Sequence, residues 1–266
     1  MNKMLVAIFD NETAADAGLQ ALHRLHATGD ITIYATGVMV KDAAGKVSVK
    51  KSMNEGSIGT GVGLAVGSLI GLLGGPVGLV TGALTGTLVG AIRDFWVAGV
   101  DLDFVEEAGR GLLPGKVALV AEVEEEWVTP VDSALEAAGG HVFRRTRSEV
   151  AEAQFDHDVA AFKSEINELE SEASNASGAA KTKLQAKIAT AKNGMDAAAE
   201  RAKQRVDTLK QEAGCKAEAL KTQLNQVSGD VKATIEDRVK RVKGAYHARG
   251  TKLSQAWDLT KEALAI

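Results

Sequence analysis

Residues 56–92, GSIGTGVGLAVGSLIGLLGGPVGLVTGALTGTLVGAI, run between Glu55 and Arg93 without one ionisable side chain. A water-facing surface is not built from such a run, so lipid or protein must cover it. Glycine recurs at Gly59, Gly63, Gly67 and Gly71, then at Gly74, Gly78, Gly82, Gly86 and Gly90, with Leu, Val and Ile filling most positions between. These are two small-xxx-small ladders. At four-residue spacing the glycines share one helix face, and without Cβ atoms that face admits a second helix almost backbone to backbone. In water the same helix is poor, because each interior glycine costs about 1 kcal/mol against alanine.

Gly74-Gly75-Pro76 divides the run into two arms, each roughly 25 Å long at the α-helical rise, against a hydrocarbon core of about 30 Å. The expectation is a helical hairpin in lipid, spanning or re-entrant, since its turn, Leu72 to Val77, holds no charged side chain. Lys50 and Lys51 precede it and Arg93, Phe95 and Trp96 follow, cations and aromatics suited to a membrane interface. Both ends are therefore expected on the cytoplasmic side of the cytoplasmic membrane. The competing reading is a hairpin buried inside a large soluble assembly.

The rest of the chain is polar: 25% charged and only 4% aromatic, with a net charge of -4. The charge is unevenly spread. Residues 147–173 hold 2 Lys+Arg against 8 Asp+Glu, and residues 174–266 hold 18 against 10. The single Cys215 has no intrachain disulfide partner, and Met4 to Phe9 is too short for a signal peptide core and is followed by Asp10, which together point to a reducing, cytoplasmic setting.

Met4 to Phe9 predicts a buried strand; Asp10-Asn11 offers a cap for a helix over Glu12 to Thr28, which Gly29-Asp30 ends. Ile31 to Val40 and Lys46 to Val49 read as a β-hairpin. Beyond the uncharged run, Leu102, Val105, Ala108 and Leu112 mark a helix, and Lys116 to Val123 a strand. The expected class is α+β, a ferredoxin-like βαββαβ domain split into residues 1–55 and 93–146, with the glycine-zipper hairpin of 56–92 inserted between its third strand and second helix. A further helix, Val131 to Ala138, and a strand, His141 to Arg145, extend it.

This order of elements, the zipper hairpin, and the stretch Gly111-Leu112-Leu113-Pro114-Gly115-Lys116-Val117-Ala118-Leu119-Val120 resemble an uncharacterised family of bacterial proteins assigned to membranes. The resemblance covers residues 1–146. It implies membrane association and carries no activity, so no functional residue is transferred through it.

Residues 147–266 are almost all helix formers, with no proline after Pro130. Apolar or small residues from Ala202 to Tyr246 advance 44 residues in 12 steps, about 3.67 per step, the hendecad value of a nearly straight or slightly right-handed coiled coil. Breaks are expected at Ser174 to Gly178, at Ser228 to Asp230, and at Gly244 and Gly250. A fold-back at the first would lay the acidic segment along the basic one; pairing between chains is the alternative. The stripe suits a partner helix, through Phe155, Phe162, Ile166, Leu169, Leu220 and Leu224, or a lipid surface.

Chemistry is sparse. His23 and His26 are spaced i, i+3 but lack a third ligand at metal spacing, and a surface or capping role is expected. Glu122, Glu124 and Glu126 alternate onto one strand face, which fits a solvated edge. Gly45-Lys46 and Gly115-Lys116 lack a phosphate-loop frame, Cys215 lacks a base, and the 174–266 segment is too rich in acids for specific nucleic-acid binding. No catalytic residue, metal, cofactor or small-molecule ligand is indicated. The expected function is a non-enzymatic, membrane-associated homo-oligomeric scaffold or membrane-organising protein, with membrane lipid and further copies of itself as partners. The alternatives are a glycine-zipper pore or transport component, whose polar lining could come only from Ser57, Thr60, Ser68, Thr81, Thr85 and Thr87, with Thr81 and Thr85 on one face, and a lipid-surface coat acting through the tail.

Overall fold

A computed structural model describes residues 2–43, 47–54, 63–73, 99–100, 102–147 and 150–264. The chain is α+β, with a five-stranded antiparallel sheet and a largely helical C-terminal half. The strands are β1 (Asn2–Phe9), β2 (Ile31–Lys41), β3 (Val47–Asn54), β4 (Val117–Glu125) and β5 (His141–Thr146), in the sheet order β3-β2-β4-β1-β5. The described helices are α1 (Glu12–Thr28), α2 (Gly63–Leu73), α3 (Leu102–Gly111), α4 (Thr129–Ala137), α5 (Val150–Asn175), α6 (Gly178–Gln226) and α7 (Asp230–Leu264).

Local sequence explains the first helix well. The Asn11 side chain accepts the Ala14 N–H at 2.9 Å, and Gly29, at φ 82°, ends the helix with its N–H donated to His26 O. Strand β4, whose glutamates suggest a solvated edge, lies at the centre of the sheet, between β1 and β2. In β1 and β4 alternate residues face one core, made by Leu5, Ala7, Phe9, Val117, Leu119, Ala121 and Val123, with Leu19 and Leu22 of α1 and Val131 and Leu135 of α4 packed on it. Consequently Met4, Val6, Ala118, Val120, Glu122 and Glu124 point to the opposite face.

One irregularity decides what that opposite face carries. Ile33 is paired with Val123 and Ala35 with Glu122, so Tyr34 is an extra residue in β2. This is a β-bulge. Ile31 and Ile33 before it and Val38 and Val40 after it all join the same core, so the alternation has shifted by one residue and Tyr34 is turned to the second face. Helix α3 covers part of that face, with the edge of Gly111 against Ile8 and Phe143. Helix α2 lies against β2 and β4 and touches α3, burying Ala65, Val66, Leu69 and Ile70.

The chain forms two compact units. The first joins residues 1–148 to residues 212–243; the second comprises 149–211 and 244–266. The long tail is thus not one separate region, because the end of α6 and the start of α7 belong with the sheet. We call residues 212–243 the strap. The helices break at 176–177 and 227–229, whereas Gly244 and Gly250 lie within α7. In the second unit α5 folds back on α6: Phe162 lies over Gly194, Ile166 packs with Ala191 and Met195, and Lys192 Nζ is 3.1 Å from Glu170 Oε1.

Candidate functional site

A carboxylate in the middle of a buried sheet face has to be paired, because leaving an ion unpaired in a low-dielectric interior costs several kcal/mol. Glu122 is that carboxylate: it is on the central strand and 0% exposed. Its Oε1 accepts from Asn2 Nδ2 at 2.9 Å, from Arg147 Nη1 at 3.0 Å and from Lys216 Nζ at 2.5 Å, while Oε2 is buried with no hydrogen-bond partner. Arg147 follows β5 and is placed there by its backbone N–H, which donates to Asn2 O at 3.0 Å. Glu212, one turn before Lys216 on α6, contacts Arg147 and is 3.9 Å from Lys216 Nζ. Two carboxylates and two cations close on one another. Burial by itself raises the Glu122 pKa, but the Lys216 ammonium and the Arg147 guanidinium outweigh burial and bring it down to about 2.

The bulged Tyr34 completes this layer. Its ring lies 4.5 Å from the Lys216 ammonium, a cation–π contact, and its hydroxyl donates to Glu124 Oε2 at a long 3.4 Å.

A second polar patch fastens the strap to the turn between α1 and β2. Gln223 donates to the carbonyls of His26 and Ile31, both at 2.7 Å, and accepts from the Thr32 hydroxyl at 2.6 Å. Arg238 of α7 donates to the same hydroxyl at 2.8 Å and to Gly29 O and Asp30 O, both at 3.3 Å. Burial lowers the Arg238 pKa, opposed by Glu126. At the rim Arg241 pairs with Glu126. Apolar contact is concentrated in few side chains: Ala219, Leu220, Ile235 and Val242 are buried, and Val231 comes so close that a Cβ on Gly29 would meet its Cγ1 at 2.2 Å.

On the first face a separate ion group links β4, β5 and α4. Arg144 Nε is 2.5 Å from Glu125 Oε1, and its Nη2 is 2.7 Å from Asp132 Oδ1. Burial raises the Glu125 pKa against the pull of Arg144, while the Arg144 pKa is raised: burial opposes the shift, and the bonds to Asp132 and Glu125 overcome it.

Chemically the site on the second face is a fastening. Its charges are neutralised internally, and its donors and acceptors join sheet to strap. Among the described residues no group of three His, Cys, Asp or Glu is arranged to hold a metal. His26 is buried, its Nδ1 accepting the Ile33 N–H at 3.2 Å, which is a role inside the α1–β2 turn. The solvated-edge expectation for the glutamates is corrected by the central position of β4: Glu122 and Glu124 are buried, and Glu126 lies beyond the strand.

Of the zipper glycines, Gly63, Gly67 and Gly71 lie on α2. A Cβ on Gly67 or Gly71 would meet nothing within 4 Å among the described residues, which leave this edge of the helix uncovered. Gly59, Gly74, Gly78, Gly82, Gly86 and Gly90 fall outside the described residues, as do Arg93, Phe95, Trp96, Thr81 and Thr85. Lys50 and Lys51 are on β3, and Lys50 pairs with Glu12 at 3.5 Å on the surface. No described helix is long and apolar enough to cross a membrane. Lys216, Glu212, Gln223, Arg238 and Arg147 escaped sequence reasoning. The one available signal was the polar series Glu212, Lys216, Gln223, spaced 4 and 7 residues apart on one face of α6 beside the apolar stripe.

Residues 60–160 match the family described as "Protein of unknown function (DUF1269)", a span that includes α2, α3, β4, α4 and β5. No curated protein and no solved structure matches the chain.

Proposed function

We propose that this protein is a non-enzymatic, membrane-associated scaffold that assembles with copies of itself through the glycine ladder of residues 56–92. The observation that carries the reading is the disposition of α2. Its bulky side is used up against the sheet, and no other described residue covers the edge that carries Gly67 and Gly71, where another helix can approach closely. The uncharged run continues to Ile92, and its flanking Lys50, Lys51, Arg93, Phe95 and Trp96 suit the cytoplasmic interface of a membrane. The match to an uncharacterised family is compatible with this role and adds no activity to it.

Within this reading the sheet is a ferredoxin-like core made of β1, α1, β2, β4, α4 and β5, with β3, α2, the zipper and α3 inserted between its second and third strands. The support is that β1 pairs with both β4 and β5, β2 pairs with β4, and α1 and α4 share one face. A zipper that packs against protein within a water-soluble assembly is a second reading, favoured by the burial of α2's apolar side against the sheet.

Fractionation of the full chain, followed by mass measurement in mild detergent, tests both. Membrane recovery with an oligomeric mass is expected. A chain soluble without detergent removes the lipid assignment, and a monomer in mild detergent removes the scaffold.

A further inference from the structure

The four charges at the centre of the fastening have a property that a permanent core does not need: the pair on each side is neutral by itself, and the ion pairs that cross from strap to sheet besides, Arg238 and Arg241 with Glu126, meet at a carboxylate that is partly exposed. Glu122 and Arg147 are both on the sheet side, 3.0 Å apart, and Glu212 and Lys216 are both on α6, at i, i+4 and 3.9 Å apart. When the strap leaves, Glu122 and Glu212 each keep a cation and both pairs regain water, so undocking strands none of these four charges. The Gln223 and Arg238 bonds are likewise polar contacts that water can replace.

The path of the chain gives the strap a way to leave. It follows the turn at 176–177, where α5 ends and α6 begins with Gly178 at φ 59°. If that turn straightens into helix, α5 and α6 become one rod, and everything after residue 177 is carried away as a block. A second copy opened in the same way offers the same sheet face and the same α5 surface.

We propose that two copies of this chain exchange residues 178–266 about the hinge at 176–177, so that the strap of one copy docks on the sheet of the other and α5 of one packs on α6 of the other. The contacts that residues 178–266 make with the sheet and with α5 are remade between copies, and the hinge is where the conformation changes. This deepens the scaffold reading and rests on it for the expectation of a homo-oligomer. Gly178 sets the balance. A Cβ there meets no described residue within 4 Å, but its left-handed φ disfavours any other residue in the closed hairpin. Alanine is also the better residue in the continuous helix of the exchanged form. Gly178→Ala should therefore raise the exchanged fraction about tenfold or more.

The test uses the full chain in mild detergent with Cys215→Ser as background. An ideal Cβ on Gly29 lies 3.6 Å from Val231 Cβ, within the roughly 3.5–4.5 Å that a disulfide requires. A chain carrying only Gly29→Cys is mixed and co-incubated with one carrying only Val231→Cys, then oxidised; a covalent heterodimer is expected, and more of it with Gly178→Ala. A chain carrying both substitutions that closes its disulfide internally, beside a mixture that yields no heterodimer, overturns the exchange. Mass measurement on the same samples separates the two ideas, since an oligomer without cross-linking leaves the scaffold standing and a monomer removes it as well. Should Gly29→Cys fail to fold, zero-length carbodiimide coupling of Lys192 to Glu170, 3.1 Å apart across the hinge, takes its place in a mixture of Lys192→Gln and Glu170→Gln chains, with the 170–192 link identified by peptide mapping. No 29–231 disulfide and no 170–192 link between the mixed chains would overturn the proposal.

Discussion

Lys216 and Glu122 are 94 residues apart in the chain and 2.5 Å apart in space, both fully buried, and the contact draws the tail onto the sheet. The pair is supported on both sides, by Arg147 and Asn2 on Glu122 and by Glu212 and the Tyr34 ring near Lys216. An ion pair of this kind stabilises little in itself, because desolvation offsets most of the attraction. Its loss on one side is another matter.

Lys216→Met leaves two buried carboxylates facing one guanidinium, and should cost about 3–5 kcal/mol in a urea titration of the first unit's unfolding. The double variant Glu122→Gln with Lys216→Met retains the Arg147–Glu212 pair and should lose less than the two single losses added together. Strict additivity would count against the closed four-charge arrangement.

Acid should weaken this unit through Glu122. Its folded pKa, about 2, lies below the ordinary 4.5, so its contribution is fully present above pH 4.5 and is lost as pH falls toward 2. The difference is on the order of 3 kcal/mol. The charged groups facing it are Lys216 and Glu212 from α6 and Arg147 beyond β5, with Asn2 of β1 and Tyr34 of β2 beside them. Stability measured between pH 6 and pH 2 should fall less steeply in Glu122→Gln than in the native chain, and equal slopes would contradict the assignment.

Gly29 is required twice, by its φ of 82° and by Val231. Gly29→Ala should destabilise by about 1–2 kcal/mol from the left-handed backbone alone, with a further loss from the contact at Cγ1. Val231→Ala removes that methyl group, so the pair should couple in a double-mutant cycle. An uncoupled pair would place α7 away from the α1–β2 turn.

Gly67→Leu with Gly71→Leu puts bulk where no described residue lies within 4 Å of a Cβ. Thermal unfolding of the sheet unit should be unchanged or slightly raised, since glycine is the poorer helix former. The oligomer measured in mild detergent should weaken through lost close packing. An oligomer unaffected by both substitutions would exclude this edge as the assembly face.

The elements that were legible in the residues are those decided locally. Asn11 and Gly29 bound α1 by capping chemistry, the apolar alternation marks β4, and the Ser/Asn/Gly clusters break the tail at 176–177 and 227–229. The fold-back of α5 stood as one of two open readings, because a stripe such as Phe162, Ile166 and Ala191 says that it needs cover and not which chain supplies it.

Tertiary structure decided the rest, for three physical reasons. Strand neighbours are chosen by non-local pairing, so the alternation of Glu122 and Glu124 was visible while their burial at the sheet's centre was not. The bulge at Tyr34 inverts the parity of β2 halfway along, which no period-two reading of that strand anticipates. A helix face is recognised from sequence by its apolar residues, whereas Glu212, Lys216 and Gln223 face the interior because Glu122, Arg147 and Thr32 are there to meet them. A buried polar contact is specified by both partners, and its partner lies 94 residues away for Lys216 and 191 for Gln223.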